Sequence, residues 1–257
     1  MQEPWFFDSH AHYNVKRFQE DQTELLASMA EHNIGLIMNV GCDLTSSIQS
    51  IRLAEQYDFI YASVGSHPDD ADHVDAGLVE MYRSLASHPK VVAIGEIGLD
   101  YYWEQNPPKE FQQKVFRDHL ALARELNLPV IVHDREAHAD TLAIVKEFPD
   151  LRGVFHCFSG SVEMARELWK MGWYVGFDGP LTYKNAKKVV EVAKEAPLDL
   201  ILLETDAPYL APVPYRSKTN HSAMLYLVAE KIAEIRGTTT EHILKLTFEN
   251  AKRLFNV

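Results

Sequence analysis

The sequence predicts an α/β fold, a TIM (β/α)8 barrel with an additional C-terminal helix, and three observations carry that prediction. Short apolar runs alternate with longer amphipathic segments eight times over, polar residues gather at the ends of the apolar runs, and the chain has 257 residues. One such barrel commonly takes roughly 250 residues. Strands this apolar suit a parallel sheet buried on both faces. An open doubly wound sheet would show the same periodicity; closure is favoured because a barrel collects strand-end polar residues around one mouth.

The eight apolar runs are Trp5–Asp8, Gly35–Val40, Phe59–Val64, Val91–Ile94, Pro129–His133, Gly153–His156, Trp173–Phe177 and Leu200–Leu203. Helical periodicity falls between them at Gln22–Asn33, Ser46–Gln56, Asp75–Ser87, Lys109–Leu126, Ala137–Phe148, Val162–Met171 and Ala186–Glu195. After the last strand come Ala223–Ile235 and then Thr240–Phe255, the additional closing helix. No low-complexity stretch or Pro/Gly/Ser-rich linker divides the chain, so residues 1–257 read as one hydrolase-sized domain.

Composition narrows the function. With 25 basic and 37 acidic residues the net charge is −12, which argues against a nonspecific nucleic-acid coat but leaves room for an enzyme that handles phosphates through bound cations. Cys42 and Cys157 are too few and too far apart for a disulfide framework and read as reduced thiols. Met1-Gln2-Glu3-Pro4 opens no secretory signal and no window approaches a membrane span, so the expectation is a cytoplasmic protein without a membrane or an obligate protein partner.

The sharpest motif is Asp8-Ser9-His10-Ala11-His12, at the end of the first strand. Alternation puts His10 and His12 on one side of an extended chain, where two imidazoles can approach one cation. Further candidates follow at later strand ends: Glu96 in Gly95-Glu96-Ile97-Gly98-Leu99-Asp100, His133 in Val132-His133-Asp134-Arg135, His156 in Phe155-His156-Cys157-Phe158, and Asp206 in Glu204-Thr205-Asp206-Ala207-Pro208. Four histidines and two carboxylates suffice for a binuclear site, with Glu96 a candidate bridge because its two oxygens can serve different cations.

These segments, with Gly65-Ser66-His67-Pro68 and Leu203 to Leu210, resemble the motifs of the TatD family of deoxyribonucleases, in order and from about Phe7 to Leu254. Many barrels of the wider metal-dependent amidohydrolase group bridge their metals through a modified lysine after the fourth strand. Lys90 precedes that strand and Glu96 follows it, which points to the TatD branch. The resemblance implies that His10, His12, Glu96 and Asp206 surround one metal and Glu96, His133 and His156 the other. It further implies activity on DNA, as an exonuclease accommodating a single strand or a frayed end. Ser217 departs from a usual glycine, and His221-Ser222 from a usual Glu-Pro pair, which puts substrate positioning in that loop in question.

Two cations about 4 Å apart would activate a bridging water and stabilise charge on a phosphoryl oxygen, with Asp206 accepting the water's proton and Glu96 holding both metals. Histidine and carboxylate ligands suit zinc, manganese, iron or nickel, and the family's nuclease activity suggests magnesium. Arg135, Lys184, Arg216 and Lys218 are candidates for phosphate, Tyr209 and Tyr215 for a nucleobase, and His67 for substrate or for support of the ligands; solvated charge and loop packing are the competing readings. Glu204 is expected deeper in the barrel, and Asp100, Tyr101 and Tyr102 to shape its mouth. His32, His73, His88, His119, His138 and His242 read as solvated helix or turn residues. Hydrolysis of an ester or amide, including an aminoacyl ester, uses the same water; a catalytically weak binding barrel is disfavoured by six intact candidate ligands.

Overall fold

A computed structural model describes residues 6–257, so Trp5, the predicted start of the first strand, lies outside the described residues. Eight parallel strands follow chain order around one sheet: β1 (Phe6–Ala11), β2 (Ile34–Val40), β3 (Ile60–Val64), β4 (Val91–Asp100), β5 (Val130–Arg135), β6 (Gly153–Phe155), β7 (Tyr174–Phe177) and β8 (Ile201–Leu203). Around them lie α1 (Gln22–Ala27), α2 (Leu44–Gln56), α3 (Ala76–Leu85), α4 (Lys109–Leu126), α5 (His138–Lys146), α6 (Val162–Lys170), α7 (Lys187–Glu195), α8 (Leu225–Arg236) and the additional α9 (Thr240–Phe255). This is the TIM barrel that the alternation predicts. Its seam closes at the mouth: Ala11 and Ala207 form a parallel bridge, Asp206 N–H donates to the His10 carbonyl at 2.9 Å, and His12 N–H to the Ala207 carbonyl at 2.7 Å.

Strand alternation sorts the core into two sets. Ile37, Ile60, Val132, Phe155, Val175 and Leu203 pack outward with the helices, whereas Phe7, Met38, Ile131, Val154 and Leu202 pack together inside the barrel. Helix α9 adds Ala251, Leu254 and Phe255 to the inner set, and Asn250 donates to the carbonyls of Leu198 and Ile201 where β8 begins. It therefore covers the end of the barrel opposite the mouth.

Some elements depart from the sequence reading. Gln22–Asn33 is not one helix: α1 ends at Ala27 and a 3-10 turn, Met29–His32, follows. Ser28 lies at the break and turns its hydroxyl onto the Leu25 carbonyl at 2.7 Å, a local bond that competes with helix propagation. The predicted helix from Ala223 starts as a 3-10 turn, Ser222–Met224, before α8. Strand β4 runs six residues beyond the predicted Ile94, because its glycines let the backbone press against β5. At Gly98, φ is +144° and an added Cβ would lie 2.0 Å from the His133 carbonyl oxygen. His119 is also corrected: it is fully buried rather than solvated, with Val115, Phe116, Leu122 and Ala123 on the inner stripe of α4, and Nδ1–H donates to the Val115 carbonyl.

Candidate metal centre

Two register slips carry the ligands into the mouth. Asp8 pairs with Ile37 and Ala11 with Asn39, so β1 spends three steps where β2 spends two. Such a bulge resets side-chain alternation. Phe7 faces the inner core, and the Asp8 carboxylate accepts from the Thr205 N–H and hydroxyl and from the Ser222 hydroxyl. His10 and His12 then converge, their Nε2 atoms 3.0 Å apart. In β4 the same slip falls between Ile94 and Ile97 and turns Glu96 into the cluster.

Glu96 stands between two groups of donors. Its Oε2 is 3.4 Å from His10 Nε2 and 3.7 Å from His12 Nε2, and Asp206 Oδ1 lies 3.8 and 3.3 Å from the same nitrogens. Its Oε1 is 2.9 Å from His133 Nδ1 and 2.7 Å from His156 Nε2, which are 3.2 Å from each other. The structure thus brings the six sequence-predicted residues into one cluster, in which His10 also stacks on His156 with ring centroids 3.9 Å apart, so the two donor groups adjoin rather than stand separate.

The donor set fits divalent cations. Four N/O donors held tetrahedrally about 2.1 Å from one point stand about 3.4 Å apart. Separations of 3.0 to 3.8 Å around His10 and His12 bracket that figure, and the His133–His156 side is slightly tighter. The outer nitrogens are also anchored: His12 Nδ1–H donates to the Val40 carbonyl at 3.1 Å and His133 Nε2–H to Asp100 Oδ2 at 3.2 Å. Fixing one ring nitrogen as donor leaves the other free to bind metal.

Burial would lower His12 and His133, but Cys42 and then Asp206 raise His12 well above its usual value, and Asp100 and then Glu96 raise His133 to about 10, so these imidazoles and the carboxylates hold one another charged. Burial alone would raise the Glu96 carboxyl, but the charge of His156 and then contacts with His10 hold it well below its usual range. Burial likewise opposes ionisation of Asp206, and its bond to His12 overcomes this. His10 is pushed down to about 4, by burial first and the charge of His156 second, which leaves it neutral and competent as a ligand. Beneath the cluster the order reverses. Glu204 is fully buried and raised well above its usual value, by burial and then by Asp178, and it accepts the Cys157 N–H. Asp178, at the end of β7, is raised to about 8 by burial and then by Asp206.

Beside the centre is a cavity of about 840 Å³ whose lining includes His133, His156, Asp178 and Asp206 and, farther out, Arg135, Tyr209, Lys187 and Lys188. Of the residues that the sequence suggests for substrate, Arg135 and Tyr209 line it. His67 turns toward the centre, its Nε2 3.8 Å from Glu96 Oε1 and Nδ1 bound to Asp69. Lys184 is exposed outside the lining, and the Arg216 guanidinium lies 4.1 Å over the Tyr183 ring. Sequence reasoning missed Asp178, Cys42, Lys187 and Lys188. Cys42 Sγ donates to Glu96 Oε2 at 3.4 Å. Its signal, like that of Asp178, was a polar residue just past a strand. Ser217 sits at φ +72°, where the family's usual glycine is at ease.

A parallel barrel with an N/O cluster of this geometry at its C-terminal mouth defines a metal-dependent hydrolase. The sequence model of the TatD related DNase family matches residues 7–256, and the chain belongs to that family. It is 46% identical over 253 residues to the metal-dependent hydrolase YabD of Bacillus subtilis, covering 98% of this chain and 99% of that one. It is 40% identical over 255 residues to the metal-dependent hydrolase YcfH of Escherichia coli, with 97% and 95% covered. The crystal structure of the TatD homolog YjjV from Escherichia coli superposes with a TM-score of 0.92 at 31% identity, covering 98% of each chain.

Proposed function

We propose that residues 1–257 act as one hydrolase domain on the phosphodiester bonds of DNA, as an exonuclease that takes a single strand or a frayed end and uses two divalent cations, magnesium, manganese, zinc or nickel. The observation that carries this reading is Glu96, whose two oxygens face two adjoining donor groups beside a cavity bearing Arg135, Lys187 and Lys188. Bound at His10, His12, Glu96 and Asp206 and at Glu96, His133 and His156, the cations would supply an activated water and charge stabilisation at phosphorus.

The chain's own residues do the rest. Asp206, kept ionised by His12, takes the proton of the attacking water. Asp100 and Val40 hold the rings of His133 and His12 in place. Arg135, Lys187 and Lys188 receive flanking phosphate charge in a chain whose net charge is −12. Lys184 and Arg216, exposed outside the cavity, would meet a longer strand, and His67 would contact the substrate over the centre.

End-labelled single- and double-stranded oligonucleotides, digested by metal-stripped protein supplied with individual cations, test the proposal. Stepwise shortening of the single strand is expected with at least one cation. Release of an amino acid from an aminoacyl ester without cleavage of any oligonucleotide would replace this reading with the carboxyl-ester one.

A further inference from the structure

We infer that Tyr102 and Trp103 form a stacking platform for a nucleobase near the end of the substrate strand, an inference that rests on the DNA reading above. Both rings follow β4 on the mouth side of the barrel and both are about half exposed, Tyr102 at 51% and Trp103 at 47%. They meet edge to face with centroids 4.7 Å apart at 87°, so the edge of one ring rests on a face of the other and braces it, while about half of each side chain stays open to solvent.

Two contacts tie this pair to the centre. Asp100 uses one carboxylate oxygen for His133 Nε2, at 3.2 Å, and the other to accept the Tyr102 N–H, at 2.9 Å. One side chain therefore sets both a candidate ligand and the start of the aromatic step. Arg135 lies with its guanidinium 3.9 Å over the Tyr102 ring and 5.3 Å over that of Trp103, and the same Arg135 lines the cavity. A strand with a phosphate at Arg135 would bring its neighbouring base to these rings.

The charge of the chain makes such a platform useful. A protein at −12 gains little from general attraction to a polyanion, so local cations and base stacking must supply the grip. Stacking is tolerant of sequence because every base offers a π face, which suits an enzyme that shortens a strand one nucleotide after another. Tyr102 and Trp103 are too exposed to serve the core, and among the described residues Arg135 is the cation placed over them.

Binding of labelled, phosphorothioate-linked single strands to the intact protein decides the matter, comparing a normal strand with one lacking bases at its two terminal nucleotides on each end. The parent is expected to prefer the normal strand by about 5- to 150-fold, the range for one stacked base. Trp103→Ala and Tyr102→Ala should lose most of that preference while binding the abasic strand as the parent does, and Trp103→Phe should keep most of it. A merely structural role would weaken both strands equally and would overturn the inference. Equal binding of the two strands by the parent would overturn it as well, even if ordinary oligonucleotides are digested. A preference for bases without hydrolysis of any diester would leave the platform standing and remove the nuclease reading.

Discussion

Replacing Gly98 with alanine should disable the centre from a position that offers it no side chain. The backbone there has φ +144°, and the new Cβ would lie 2.0 Å from the His133 carbonyl oxygen, 2.9 Å from its carbon and 3.0 Å from its nitrogen. Relief needs a shift of about 1 Å, and the atoms that must give are backbone rather than the end of a flexible side chain. Strain at such a φ costs about 1–3 kcal/mol, and overpacking against β5 costs about as much again. For a chain of this size, a total of about 2–6 kcal/mol lowers Tm by about 4–24 °C. The same shift carries His133 Nδ1 away from Glu96 and His156, and a displacement of about 1 Å in a reacting constellation costs about 100-fold in rate. Thermal unfolding, metal content and oligonucleotide digestion read the three consequences. Gly172→Ala supplies the control, since its φ is +76° and, among the described residues, nothing lies within 4 Å of the added carbon. It should show only the conformational cost. Gly98→Ala with the parent's Tm and rate would refute the reasoning.

Other substitutions separate the roles within the centre. Glu96→Ala should lower metal content and turnover together, whereas Asp206→Asn, which keeps an oxygen donor, should retain most metal and lose most single-turnover rate, about 100-fold or more; parental turnover at full metal would exclude Asp206 as proton acceptor. Arg135→Ala should raise KM for an oligonucleotide about tenfold at unchanged metal content, and unaltered kinetics would remove Arg135 from phosphate recognition. His119 gives a pH signature of stability. Burial lowers its folded value below 6.5, so stability is present above pH 6.5 and is lost as pH falls below it, where the unfolded chain takes up a proton that the folded chain refuses. The slope is at most about 1.4 kcal/mol per pH unit. His119→Leu should remove that component between pH 6.5 and 5 in denaturant titrations, and an unchanged difference between the two pH values would show that His119 does not contribute it.

The fold was legible because the barrel repeats one pattern eight times, and the candidate ligands because each stands where a strand reaches the mouth. What stayed hidden depended on contacts between strands. Nothing local in Asp8-Ser9-His10 announces that β1 will slip by one residue against β2, yet the slip lets Phe7 and His10 both serve the interior. Gly95 and Gly98 looked like the end of a strand when read alone; beside β5 they are what allows it to continue. His119 was misread by residue type, although its spacing from Val115 and Leu122 already placed it on the buried stripe. Lys187 and Lys188 reach the cavity in place of Lys184 because they open α7 while Lys184 lies in the loop before it, an orientation set by packing.

The seam between β1 and β8 also bears on when the protein becomes competent during synthesis. The bonds that close it join Asp8 to Thr205, 197 positions later, and Asp8 to Ser222, 214 positions later. Strands β2 to β7 can pair as they leave the ribosome, but the corner formed by His10, His12 and Asp206 has no second wall until the eighth strand has emerged. A nascent chain carries the His133–His156 side long before that corner exists. Hydrolysis therefore waits until β8 and the segment through Ser222 have been made, and a product that lacks them is left with an unsealed barrel and half a centre.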